Sequence, residues 1–166
     1  NSTIWLGSAQ GLQYFDPTSN QLIPHLQKKA KETFGIFPIG LDEKGKLWLS
    51  YQNGGVAIFN PKTKKIEEEF IHNPEDCTSL FPGLVYHWLL DSKNRVWLAG
   101  IDGGIGRYNP SENNFINYQA NVDDTTAISS VRIQDIMEDK SGRIWLGTFL
   151  GGLNLFEEES NSFRSW

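Results

Sequence analysis

The fold of this chain is decided by the stretch Asp139-Lys140-Ser141-Gly142-Arg143-Ile144-Trp145-Leu146-Gly147 and by its continuation Gly151-Gly152-Leu153-Asn154-Leu155-Phe156. The polar beginning reaches a glycine at Gly142, which favours a hairpin turn that needs a positive φ. The Ile-Trp-Leu run that follows is apolar on both faces, whereas a strand with one face in water would alternate. The glycine pair then allows a sharp reversal. The stretch therefore predicts a hairpin, a buried strand, a glycine turn and a second buried strand.

The stretch is repeated along the chain. Counted from the tryptophan, three full copies share an Asp at −6, Gly or Asn at −3, Gly at +7 and an aromatic residue at +11. These copies surround Trp48, Trp97 and Trp145, and a fourth copy, one residue shorter before its glycine, surrounds Trp5. The tryptophans are 43, 49 and 48 residues apart. A period in the forties, with several short strands in each unit, is typical of propeller blades.

Each complete unit predicts four antiparallel strands. We therefore predict an all-β fold of β-propeller blades: three four-stranded blades and one incomplete blade of three strands, giving 15 strands. The predicted limits are residues 1–26 for the incomplete blade and residues 27–71, 72–118 and 119–166 for the complete blades. No segment has a convincing helical period over ten or more residues.

The predicted first blade lacks the inner strand that precedes the tryptophan in the other copies. A propeller closes when its first and last blades meet, and open sheet edges and exposed apolar faces associate. The apolar residues expected on the two outer faces are Ile4, Trp5, Leu6 and Leu12 at one end, and Ile144, Leu146, Leu153 and Leu155 at the other. We expect the chain to be a fragment of a larger propeller, completed by the remaining blades of the same protein or by another copy of the chain.

Composition narrows the possible partners. The net charge is −5 and the basic residues are scattered, so we expect no nucleic acid partner. No apolar run approaches the roughly 18 residues of a membrane span, so we expect no membrane segment in this chain. Cys77 is the single cysteine, which excludes an intrachain disulfide. The three histidines are not spaced as metal ligands, and we expect neither a metal nor a cofactor.

The motif Asp-x-x-Gly-Arg-Ile-Trp-Leu-Gly-Thr-x-x-Gly-Gly-Leu-x-x-Phe, residues 139–156, resembles the two-component regulator propeller repeat. That repeat builds the extracytoplasmic sensor of bacterial hybrid two-component systems, many of which detect oligosaccharides. The resemblance implies a periplasmic, ligand-sensing propeller segment of a sensor histidine kinase. Such a segment would recognise an oligosaccharide, relay the signal to a kinase not present in this chain, and have no catalytic activity of its own. The family's usual Asn near −14 is replaced here by Phe34, Gly83 and Val131.

The binding candidates lie in loops. In a propeller, the connectors between blades and the loops between second and third strands share one rim, which usually forms the recognition face. These loops vary in sequence while their flanking glycines recur. We expect Tyr51 and Phe149 to stack on sugar rings, and Gln52, Asn53 and Asp102 to hydrogen-bond hydroxyl groups. Arg132, near the start of an inner strand, could meet an acidic sugar.

His87 and Asp135 form the most suggestive enzymatic pair. Both lie at −10, at equal height on adjacent inner strands, where a propeller channel would run. They are ligand-contact candidates in the sensor hypothesis, and catalytic candidates if the chain is a carbohydrate-active lyase or hydrolase instead. A structural, protein-binding propeller is the third alternative. The Asp at −6 recurs in every complete unit, so we interpret it as a turn or capping residue.

Overall fold

The computed structural model describes residues 3–26 and 35–166, which form 15 β-strands and no helix. The first unit contains β1 (Trp5–Ser8), β2 (Gly11–Asp16) and β3 (Gln21–Leu26). The second contains β4 (Ile36–Leu41), β5 (Leu47–Tyr51), β6 (Val56–Asn60) and β7 (Lys65–Phe70). The third contains β8 (Leu84–Leu90), β9 (Val96–Ile101), β10 (Ile105–Asn109) and β11 (Asn114–Tyr118). The fourth contains β12 (Ile133–Glu138), β13 (Ile144–Thr148), β14 (Gly152–Glu157) and β15 (Ser162–Ser165).

All named strands pair antiparallel with their neighbours, and the predicted all-β propeller-blade fold is confirmed. The described residues contain the 15 strands that the sequence predicts, three in the first unit and four in each of the others. Residues 27–34, the beginning of the predicted second unit, lie outside the described residues. The blade limits at 1–26, 27–71, 72–118 and 119–166 stay a prediction.

The sheet topology differs from the prediction at the first unit. The third and fourth units are separate four-stranded sheets, but the first and second units join into one seven-stranded sheet through β1 and β4. The join is a single pair, Ser8 with Ile36. It forms because β1 has no inner strand of its own within the described residues, so its edge accepts the neighbouring inner strand. Gly7 permits the approach, since a Cβ there would lie 2.2 Å from the carbonyl oxygen of Ile36.

Apolar layers between successive units form the core. Trp48 and Trp97, at 1% and 0% exposure, fill the layers between the second and third and between the third and fourth units. β5 is buried along its whole length, as expected for a strand covered on both faces. Trp145 is only half-buried, because no described sheet lies over its face of the fourth unit. The same repeat position therefore has two packing environments in one chain.

The recurring Asp at −6 organises each hairpin. Oδ1 of Asp91 accepts hydrogen bonds from the backbone N–H groups of Lys93 and Arg95, at 3.0 and 2.8 Å. Oδ2 of Asp91 accepts the indole N–H of Trp97 at 2.8 Å and the Nε–H of Arg95 at 2.6 Å. The turn residue at −3, Asn94, has the predicted positive φ of 59°. One carboxylate thus fixes the turn, the following strand and the core tryptophan.

The other two full copies repeat this arrangement with small differences. Asp139 accepts the indole N–H of Trp145 at 2.9 Å and the Nε–H of Arg143 at 2.7 Å. These hydrogen bonds, the indole first, hold the pKa of Asp139 well below its usual value. Asp42 accepts the indole N–H of Trp48 at a longer 3.4 Å. The interpretation of this Asp as a turn residue is correct, and the aspartate also orients the core indole.

Connectors fasten each outer strand. The carbonyl oxygen of Thr78 accepts the backbone N–H of Phe115 at 2.8 Å, and that of Thr126 accepts the N–H of Phe163 at 2.8 Å. Phe115 and Phe163 are each 2% exposed. Each long connector therefore runs across the outer strand of the unit that follows it and holds its aromatic residue in the core.

We expect Trp97→Ala to lower the free energy of unfolding by about 3–5 kcal/mol, because it removes a fully buried large aromatic side chain. Trp145→Ala is the matched control, since Trp145 makes the same indole–carboxylate bond but is only half-buried. It should cost less than half as much. Urea unfolding followed by circular dichroism measures both values, and equal costs would show that packing between sheets is not what holds Trp97.

We expect Asp91→Ala to lower the free energy of unfolding by about 3–5 kcal/mol, because it leaves buried N–H donors and the Arg95 guanidinium without their acceptor. Asp42→Ala is the control, and we expect about 1–2 kcal/mol, because Trp48 lies farther from its carboxylate and no arginine joins it. Chemical denaturation of both variants tests this order. A larger loss for the Asp42 variant would contradict it.

Candidate functional site

The loops between second and third strands carry unusual backbone geometry. Asp102 and Leu150 both have a positive φ, 67° and 59°, although neither is a glycine. Both lie five residues after their tryptophan, and Leu150 is 92% exposed. A leucine held in this conformation with its side chain in solvent is uncommon. Such outliers concentrate at binding sites, which makes these loops candidates for recognition.

Three of the predicted site residues come together on this rim. Nε of Arg132 lies 3.6 Å from Oδ1 of Asp102. The guanidinium carbon of Arg132 lies 4.9 Å from the ring centroid of Phe149, and Phe149 remains 45% exposed. Asp102 belongs to the third unit, whereas Arg132 and Phe149 belong to the fourth. The rim cluster, defined as Asp102, Arg132 and Phe149, therefore spans two units.

Backbone hydrogen bonds position the rim cluster. Phe149 donates its N–H to the carbonyl oxygen of Arg132 at 2.9 Å, and Gly104 donates to that of Val131 at 2.9 Å. The buried side-chain amide of Asn154 holds Ser129, in the connector that precedes the fourth unit. Its Oδ1 accepts the N–H of Ser129 at 2.9 Å, and its Nδ2 donates to the Ser129 hydroxyl at 2.8 Å. Sequence reasoning missed Asn154, because a polar residue in the middle of an apolar strand gave no motif to follow.

The three candidates at the turn between β5 and β6, in the second unit, differ in their surroundings. Tyr51 ends β5 at 4% exposure, and its hydroxyl donates to Oε1 of Glu69. Burial, together with this hydrogen bond, raises the pKa of Tyr51 well above its usual value. The ring therefore lies in the core rather than in the exposed loop position that stacking on a sugar needs. Gln52 and Asn53 are exposed in the turn that follows.

His87 and Asp135 face each other from adjacent inner strands. His87 pairs with Ala99 and Asp135 with Gly147, which are equivalent positions two residues after Trp97 and Trp145. Nδ1 of His87 lies 3.7 Å from Oδ1 of Asp135, and 76% of the Asp135 side chain is exposed. The equal height that the sequence predicts is thus present in the structure. Because both side chains are partly exposed to solvent, His87 and Asp135 are accessible to a ligand.

Every complete inner strand contains a β-bulge. The register shifts between Pro38 and Gly40, between Val85 and His87, and between Ile133 and Asp135. A bulge interrupts the alternation of side chains and re-aims them, and bulges are frequent beside binding sites. In β12 the result is that Gln134 and Asp135 are both exposed in succession.

A cleft of about 390 Å³ lies between β4 and β8 and was not predicted. It is lined by Phe37, Pro38, Ile39, Ser50, Gln52, Leu84, Val85 and Tyr86. Of the predicted candidates, only Gln52 lines it. Its aromatic residues, Phe37 and Tyr86, are 38% and 54% exposed. Both lie eleven residues before their tryptophan, so comparing the inner strands in register would have found them.

In segments 3–26 and 35–166, no three His, Cys, Asp or Glu side chains are grouped so that they could hold a metal ion. The same segments contain no helix with the length and apolar character of a membrane span.

Comparison with protein families gave a match over the fourth unit. The profile described as "Two component regulator propeller" matches residues 127–149, which run from the connector through Trp145 to Phe149. Residues 127–149 are thus similar to the two-component regulator propeller repeat. The resemblance predicted from the motif is therefore confirmed, and the equivalent Asp, Trp and Gly positions of the second and third units repeat the pattern of this regulator propeller repeat. A comparison with curated proteins gave no match.

This chain is similar to solved structures of bacterial proteins. PorZ, a bacterial surface component of the type-IX secretion system of Porphyromonas gingivalis, matches 99% of this chain with a TM-score of 0.59 and 18% identity. Two extracellular domains from B. thetaiotaomicron, described as those of hybrid two component systems BT4673 and BT3049, match with TM-scores of 0.42 and 0.44. Their identities are 20% and 17%, over 99% and 98% of this chain. This chain spans 26%, 27% and 26% of PorZ, BT4673 and BT3049 respectively.

Proposed function

We propose that this chain is the ligand-sensing part of a bacterial two-component sensor, that it lies outside the cytoplasm in the periplasm, and that it binds an oligosaccharide. In this proposal, binding is relayed to a histidine kinase elsewhere in the same protein, and the chain itself has no catalytic activity. The observation that carries the proposal is the rim cluster on a regulator propeller repeat. The full-length coding sequence tests the relay to a kinase. The proposal requires that a kinase be encoded downstream of these repeats.

The rim cluster has the chemistry that sugar recognition needs. An exposed aromatic ring such as Phe149 offers an apolar face to the C–H face of a sugar. The Arg132 guanidinium offers donors in a planar fork that fits a carboxylate. Its ion pair with Asp102 is exposed on both sides, and exposed pairs of this kind contribute little, so a ligand carboxylate can replace Asp102 at low cost. The rim cluster therefore favours an oligosaccharide that contains an acidic sugar.

We expect an oligosaccharide containing uronic acid to bind the chain, and Arg132→Ala to weaken its binding about ten-fold, because a charge-assisted bidentate contact is lost. Phe149→Ala should weaken binding as well. Isothermal titration calorimetry with tri-galacturonic acid and with a neutral trisaccharide measures the effect. Arg164→Ala is the matched control, since Arg164 also lies over an aromatic ring, 4.9 Å from the centroid of Trp166, away from the rim cluster.

Equal binding by the parent chain and the Arg132 variant would remove the rim cluster from recognition. If no carbohydrate of a broad glycan panel binds the parent chain, the sensing proposal is overturned.

The enzyme alternative depends on His87 and Asp135, which the structure places 3.7 Å apart. On the sensing proposal, polysaccharides incubated with the chain show no cleavage above background, and His87→Ala and Asp135→Ala change nothing. Reducing-end release and the absorbance of unsaturated uronic acids measure hydrolase and lyase activity, respectively. Turnover by the parent chain that either substitution abolishes would establish the enzyme instead.

A further inference from the structure

We propose that the cleft between β4 and β8 is a second sugar subsite, one that takes a neutral pyranose ring. This inference rests on the proposed oligosaccharide-sensing function and deepens it. The inter-unit cleft, defined as the cavity lined by Phe37, Gln52 and Tyr86 over the apolar floor of Ile39 and Val85, lies between the second and third units. It shares none of its lining with the rim cluster.

The inter-unit cleft is a built site rather than a gap between loops. Gln52 holds Gly35 from two sides: its backbone N–H donates to the Gly35 carbonyl oxygen at 2.9 Å, and its side-chain Oε1 accepts the Gly35 N–H at 2.9 Å. The hydrogen bond to Oε1 therefore sets the orientation of the Gln52 carboxamide. Its NH₂ group, which has no partner among the described residues, is left to donate to a ligand hydroxyl.

The Phe37 ring packs against the same glycine. A Cβ at position 35 would lie 2.5 Å from Cε2 of Phe37 and 3.0 Å from Oε1 of Gln52, so the ring packs directly over Gly35. A methyl group at position 35 would require the Phe37 ring to move. The ring packs against this glycine while 38% of Phe37 remains exposed.

Tyr86 supplies the second aromatic side chain. It is the residue that the β-bulge of β8 leaves without a partner on β9, since Val85 pairs with Gly100 and His87 with Ala99. A bulge turns such a residue away from the regular alternation. Tyr86 is 54% exposed and presents both an aromatic ring and a hydroxyl group. Aromatic side chains with one apolar face and a polar tip suit a sugar, whose ring has apolar C–H faces and a polar rim.

The lining decides the charge of the ligand. Among the residues that line the inter-unit cleft there is no Asp, Glu, Lys, Arg or His, and the polar groups are a hydroxyl, a phenol and an amide. A ligand carboxylate would lose hydration here without gaining an opposite charge, which is unfavourable. The volume of about 390 Å³ lies at the small end of ligand pockets, which span roughly 300–1,000 Å³. A small neutral sugar therefore fits better than an acidic one.

Saturation-transfer difference NMR tests the inter-unit cleft directly. The probes are methyl β-glucopyranoside, methyl β-galactopyranoside and methyl α-mannopyranoside, with sodium glucuronate as the charged comparison. We expect at least one neutral glycoside to bind through its ring C–H face. Tyr86→Ala and Phe37→Ala should each weaken this binding about ten-fold, whereas Tyr86→Phe, which keeps the ring, should stay within about three-fold of the parent.

Gly35→Ala is a positioning variant, because the added methyl group displaces the Phe37 ring while both aromatic residues remain. It should weaken binding as well. Met137→Ala is the matched control, since Met137 is a 53% exposed inner-strand residue of the fourth unit that does not line the cleft. Circular dichroism checks that each variant is folded. If the Gly35 variant does not fold, the Phe37 and Tyr86 variants still test the inference.

The outcomes separate this inference from the proposed function. Neutral glycosides that bind the Tyr86→Ala and Phe37→Ala variants as they bind the parent would overturn the cleft inference. So would glucuronate binding that depends on Tyr86. In either case, loss of binding in the Arg132→Ala variant would leave the sensing proposal standing. Absence of any saccharide binding by the parent overturns both.

Discussion

The structure depends on one hydrogen bond, from a tryptophan indole N–H to an aspartate six residues earlier. A buried indole needs an acceptor, and a buried carboxylate needs donors, so each side chain meets the requirement of the other. In the third unit the carboxylate of Asp91 also receives two backbone N–H groups of the hairpin and the guanidinium of Arg95. The turn, the second strand and the core between two sheets are therefore set by a single carboxylate. This explains why the Asp and Trp positions recur together in every full copy.

Contacts that stabilise the sheets and the residues proposed for recognition lie at opposite ends of each unit. Hairpins that carry the aspartates lie at one end of the sheets, where further polar contacts join neighbouring units: Arg95 with Glu158, and Ser92 with Glu138. The hydrogen bond from Arg95 also holds the pKa of Glu158 below its usual value. Loops at the opposite end carry the rim cluster, and their sequences differ between units. Asp102 and Phe149 lie in these loops, where each contacts Arg132.

Much of the fold could be read from the sequence, because Gly, Asp and Trp recur at fixed offsets and each offset has one structural meaning. The site was harder to predict. Arg132 and Phe149 were both candidates, but their contact follows from a pairing register that only aligned strands show. Tyr51 is buried because β5 extends through it and Glu69 accepts its hydroxyl hydrogen bond, which no local pattern indicates. Tyr86 was missed because a bulge breaks the alternation by which exposed residues are recognised.

The hydrogen bonds of Asp91 also affect the order in which the chain folds. Every bond that Asp91 makes joins groups within six residues of it, so only a very short loop must close before the bonds form. Closing a short loop costs little chain entropy, and contacts of small sequence separation form fast. Each hairpin can thus assemble while the later repeats are still being synthesised. Trp97 is then already oriented when the strands of the fourth unit arrive to cover it, and the order of translation becomes the order in which the sheets stack.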